Sequence, residues 1–104
     1  MKTSAELRAN ILFALAHPNR IRILEYLGRQ VRCNCELAPE LRLEQSNLSR
    51  HLKILVDAGI LKSWKEGLRV NVEVADHRIF RVLEIVSALA KQDVARKAEA
   101  LEHA

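Results

Sequence analysis

QSNLSRHLKILVDAGILKSWKEGLRVNVEV, residues 45–74, changes its hydrophobic period from that of a helix to that of a strand, and the change decides the fold. From Gln45 to Ala58 the apolar residues Leu48, Leu52, Leu55 and Val56 fall at i, i+4, i+7 and i+8, one face of an α-helix, and Gly59 supplies its stop. The opposite face carries Ser46, Arg50, Lys53 and Asp57. Beyond the glycine, Ile60 to Lys65 and Leu68 to Val74 flank Glu66-Gly67, and Val70, Val72 and Val74 alternate with Arg69, Asn71 and Glu73. That pattern predicts a two-stranded hairpin.

Upstream, Thr3 followed by Glu6 has the spacing of a capping box, so a first helix opens there and runs until Pro18 interrupts it. Its second half is apolar nearly all round, which predicts burial on two sides. Pro18 suits the first position of a second helix bearing Ile21, Ile23, Leu24 and Leu27 and stopping at Gly28. A short third helix is expected over about Glu36 to Leu41, with Pro39 delaying its start to Cys35 or later. Asp76 to about Ala100 reads as a last helix whose stripe is Ile79, Val82, Leu83, Val86, Leu89, Ala90 and Val94, with Phe80 and Ile85 outside it. One small domain cannot easily cover that much apolar helix.

The expected fold is therefore mainly α with a two-stranded β-wing: four helices, a hairpin and a final helix, as in a winged helix-turn-helix. Residues 1–104 form a single domain, with 34–59 as the helix-turn-helix, 60–75 as the wing, and 1–17 and 76–101 as helices that pair two copies.

Composition narrows the function. The 104 residues are 49% hydrophobic and 29% charged, with no apolar run near the roughly 20 residues of a membrane span, so no membrane partner is expected. Met1 to Asn10 lacks the apolar core of a secretory signal, which points to the cytoplasm. The net charge of +4 is uneven: between Arg42 and Arg69 six cations face three anions. A local excess of this kind suits a polyanion.

Reading DNA requires small or amide side chains at the start of a helix and cations to hold phosphate. Gln45, Ser46, Asn47, Ser49 and Arg50 meet the first need, since Gln and Asn can bond adenine and Arg guanine. Lys53, Lys65 and Arg69 are candidates for phosphate or minor-groove contact, and His51 joins them at the edge of the apolar stripe, where packing is an equal alternative. Trp64 reads as a hydrophobic anchor, His17 as part of a helix junction, and His77 as a first-turn residue of the last helix. No Gly-rich phosphate loop or paired carboxylate site suggests an enzyme.

Taken in order, LAHPNRIRILEYL, CNCELA, LEQSNLSRHLKILVDAGIL and EGLRVNVEV, within residues 11–75, resemble the ArsR/SmtB group of winged-helix repressors that sense metals, metalloids or thiol-reactive species. The resemblance implies a homodimer on a roughly palindromic double-stranded DNA operator, paired through the first and last helices and released by an inducer. Glu44 stands where the family often has a serine cap.

Cys33 and Cys35 lie at the location of the family's arsenic-type CxCxxC site, whose third position here is Ala38. On a regular helix these two side chains would point about 200° apart, so sharing one ion requires extended backbone or a helix start. The resemblance makes the pair a candidate metal ligand or redox site, with arsenite, antimonite or another soft metal ion as inducer and no required cofactor. Oxidants or sulfur species are the alternative trigger, and unliganded small hydrophobes a further reading. The family's zinc-type site in the last helix would fall on Asp76, Arg78, Leu89 and Gln92, which do not form a ligand set. A winged-helix protein-interaction module is the reading outside DNA binding.

Overall fold

The computed structural model describes residues 1–103. Helix α1, Ser4–Leu15, opens on the expected capping box: the Thr3 hydroxyl accepts the Glu6 N–H at 3.2 Å and the Glu6 carboxylate accepts the Thr3 N–H at 2.7 Å. Both donors would otherwise be orphans of the first turn. Helix α2, Pro18–Leu27, has proline at its first position and His17 as its cap, with Nδ1 accepting the Asn19 N–H at 3.0 Å. Gly28 ends it at φ +54°, which glycine adopts without the Cβ penalty.

Two features of the next segment differ from the sequence expectation. Arg32–Cys33 forms a short strand, β1, and helix α3 begins immediately after it, spanning Asn34–Leu41. Pro39 thus lies inside α3 rather than in its first turn. Cys33 explains the early start: its sulfur accepts the Cys35 N–H at 3.2 Å, capping the helix while its backbone remains extended. Arg42 then turns the chain at φ +56° into helix α4, Gln45–Asp57.

Strands β2, Leu61–Glu66, and β3, Arg69–Val74, form the predicted hairpin. The sheet has three strands rather than two, in the order β1-β3-β2, because β1 pairs antiparallel with β3, Arg32 opposite Val72 and Cys33 opposite Asn71. The wing is thereby continuous with the segment holding the cysteines.

Leu24, Leu27, Leu37, Leu48, Leu55 and Val72 lie fully buried in one core. Burying such side chains contributes about 1.5–3 kcal/mol each, so the apolar stripe of α4 fixes that helix on α2, α3 and the sheet. Helix α5, Arg78–Glu102, behaves differently. Only its start joins the core, through Ile79, Phe80, Val82 and Leu83, while Ile85, Val86, Leu89 and Val94 are exposed. Phe80, expected off the stripe, packs inward. Leu7, Ile11, Leu12 and Phe13 of α1 are exposed as well, so within one chain α1 is buried only at its C-terminal end, through Ala14 and Leu15, rather than on two sides.

Candidate nucleic-acid interface

The stripe that buries Leu48, Leu52 and Leu55 turns Gln45, Ser46, Asn47, Ser49, Arg50 and Lys53 to solvent. The first three occupy the opening turn of α4, where free N–H groups and the helix dipole favour an anion. Glu44 makes no side-chain capping bond there, as its replacement of a serine predicts. Among the described residues Arg50 joins no ion pair, whereas Lys53 reaches Asp57 at 3.2 Å. Both partners of the Lys53 pair are exposed, so the bond is weak and open to exchange with phosphate.

The wing carries Lys65, exposed and in no ion pair among the described residues, and Arg69, whose guanidinium donates to the Glu36 carboxylate of α3 at 3.2 Å. Glu36 also faces Arg32 at 3.6 Å. Gly67, at φ +61°, makes the turn and leaves Leu68 fully exposed at the tip. Trp64 is half-buried and its indole N–H donates to Glu66 at 3.2 Å.

His51 turns away from this surface toward the helix junction. Its Nδ1 lies 3.2 Å from the Arg20 guanidinium and its ring 4.4 Å from that of His17. Burial, then the nearby His17, Arg20 and Arg50, holds its pKa below the usual histidine value. Arg20 is itself buried, with Nε donating to the Ala14 carbonyl at 2.7 Å and Nη2 to that of Phe13 at 3.3 Å. It therefore joins the end of α1, the start of α2 and the middle of α4. Sequence reading missed this residue, whose only signal is a cation amid the apolar positions of α2.

Cys33 is buried and Cys35 exposed, and the two are joined by a disulfide with Cα atoms 5.1 Å apart. Cys33 lies in extended backbone at the start of α3, so the side chains avoid the divergence of a regular helix. A thiophilic ion would need both sulfurs reduced. Among the described residues no three His, Cys, Asp or Glu side chains cluster closely enough to hold a metal, so the pair lacks a ready third ligand.

At the start of α5, Asp76 accepts the Arg78 N–H at 2.9 Å and grips its guanidinium through both oxygens. Those bonds push its pKa down to about 2. His77 stands at the cap position of α5 and meets Arg29 at 2.9 Å. No helix among the described residues is long and apolar enough to cross a membrane.

A helix with a polar, cationic outer face, seated on a helical core and followed by a basic hairpin, defines a winged helix-turn-helix, DNA-binding transcriptional regulator rather than an enzyme. Comparison agrees: residues 17–63 match the family described as "Bacterial regulatory protein, arsR family". The chain is 31% identical over 90 residues to the "Transcriptional repressor SmtB homolog" of Synechocystis sp., covering 86% of this chain and 68% of the relative. Among solved structures, Rv0081 of M. tuberculosis superimposes with a TM-score of 0.79 at 30% identity, over 94% of this chain and 99% of that one. A homodimeric winged helix-turn-helix domain of Mycobacterium bovis shares the fold, with a TM-score of 0.75 at 23% identity over 88% of this chain and 85% of that one. The chain belongs to the arsR family of bacterial regulatory proteins.

Proposed function

We propose that the protein is a cytoplasmic homodimeric repressor that reads a palindromic operator with α4 and is released by a thiol-directed signal at Cys33 and Cys35. The observation that carries this reading is the outer face of α4, where Gln45, Ser46, Asn47, Ser49 and Arg50 are all exposed above a buried stripe. Gln45, Asn47 and Arg50 suit base edges, and Ser46 and Ser49 allow close approach. Lys53, Lys65 and Arg69 serve the phosphates, with His51 seated behind them as a support. Pairing is supported by the exposed apolar residues of α1 and α5, which a second copy would cover.

For the trigger, arsenite, antimonite or another soft metal ion would take the two sulfurs as thiolates and complete its shell with an external ligand. The disulfide favours a second reading, in which oxidation is the signal. There the two thiols give two electrons and two protons to an oxidant such as peroxide, which leaves as two waters. In either case the signal acts at the cap of α3, which Cys33 supplies while joined to Cys35.

The test is release of the protein from its own upstream region, titrated with arsenite, antimonite, cadmium, zinc and peroxide. An ion that acts here is lost to chelator, whereas oxidation alters covalent mass. Unchanged release in a Cys33→Ser, Cys35→Ser double variant would remove the cysteines from the mechanism.

A further inference from the structure

We propose that Glu36 is a positioning residue that withholds Arg69 from DNA, so that α3 sets how much of the wing's charge is available to the operator. The inference rests on the reading of Arg69 as a DNA contact. Its basis is a single carboxylate shared by two cations, Arg69 at 3.2 Å and Arg32 at 3.6 Å. The two cations are not equally free. Arg32 is half-buried, belongs to β1 and lies over the Tyr26 ring at 4.9 Å, whereas Arg69 is 60% exposed and opens β3 next to the wing turn. Arg69 is therefore the partner that can leave.

A pair this exposed is weak and screened, so a phosphate can displace Glu36, but the displacement subtracts from operator affinity. Of the other wing cations, Lys62 pairs with Glu73 at 3.1 Å within the hairpin, and Lys65 carries no such restraint among the described residues. Glu36 also sits in the first turn of α3, three positions after Cys33, whose sulfur caps that turn. The strand containing Cys33 is hydrogen-bonded to β3 itself. The cysteine pair thus has a path to DNA through the wing, independent of any shift in α4.

The experiment measures operator affinity between about 50 and 200 mM salt for the full-length wild type, Glu36→Gln, Arg69→Gln, the double variant, and Glu40→Gln as a charge control on the same helix. Arg69→Gln should weaken binding and lower the salt slope by about 1. Glu36→Gln should tighten binding about two- to five-fold, more than Glu40→Gln does, and this gain should vanish in the Arg69→Gln background. If Glu36→Gln leaves affinity unchanged, or tightens it equally without Arg69, Glu36 does not act through Arg69 and the inference fails alone. If Arg69→Gln changes neither affinity nor slope, the DNA reading of Arg69 fails and takes this inference with it.

Discussion

The Arg20 guanidinium meets His51 Nδ1 at 3.2 Å, a bond that ties the start of α2 to the middle of α4. A guanidinium only donates, so Nδ1 must accept, and the ring is neutral with its proton on Nε2. Protonation of His51 would set two cations against each other beside the reading helix.

Acid should therefore loosen this junction. His51 has a folded-state pKa below the ordinary histidine value near 6.5, caused first by burial and then by His17, Arg20 and, on its own helix, Arg50. Below about 6.5 the unfolded chain takes a proton that the folded chain resists, so stability present above that pH falls as pH drops toward the folded value. Thermal unfolding at pH 7.5 and 5.5 should show a smaller acid loss for His51→Gln, which keeps an acceptor and cannot titrate. Equal losses in both proteins would count against the junction.

Arg20→Met should destabilise the fold by about 2–3 kcal/mol in urea unfolding, because it strands the Ala14 carbonyl at the end of α1, leaves that of Phe13 with the Ala16 N–H alone, and removes the partner of His51. A loss below about 1 kcal/mol would mean that the Ala14 carbonyl does not depend on Arg20 and would count against its role at the junction.

On DNA, Arg50 and Lys65 should separate by role. Arg50→Ala should cost about 1–3 kcal/mol on the operator and much less on a scrambled duplex, as loss of a base contact does. Lys65→Ala should weaken binding to both duplexes alike and lower the salt slope by about 1. The reverse pattern, measured by fluorescence anisotropy, would reassign the two residues.

Leu89 is 62% exposed in the free half of α5. Leu89→Glu places a charge where a second copy should pack, so sedimentation should show monomers where the wild type sedimentes as a dimer. A Leu89→Glu protein that remains dimeric would place the interface elsewhere.

Much of this architecture is legible in local sequence because it is caused locally. Thr3 and Glu6, Pro18, Gly28, and the leucines of α4 each act within a few positions, and the structure follows them. Strand β1 is not legible in this way: two residues carry no period, and Arg32–Cys33 is a strand only because β3, nearly forty positions later, lies beside it. The start of α3 is illegible for a related reason, since a sulfur cap from Cys33 outweighs the delay expected from Pro39. At the site, exposure of the α4 residues follows from helical period. The inward turn of His51 onto Arg20 and the hold of Glu36 on Arg69 depend on contacts between residues 31 and 33 positions apart.

The central claim, that the outer face of α4 reads a specific sequence, is tested most directly by equilibrium binding to duplexes from the protein's own upstream region against scrambled duplexes of equal length and composition. The account predicts a preference of about a thousand-fold or more for one duplex, with affinity falling steeply as salt rises. Equal affinity for every duplex at physiological salt, or no binding at all, would contradict it.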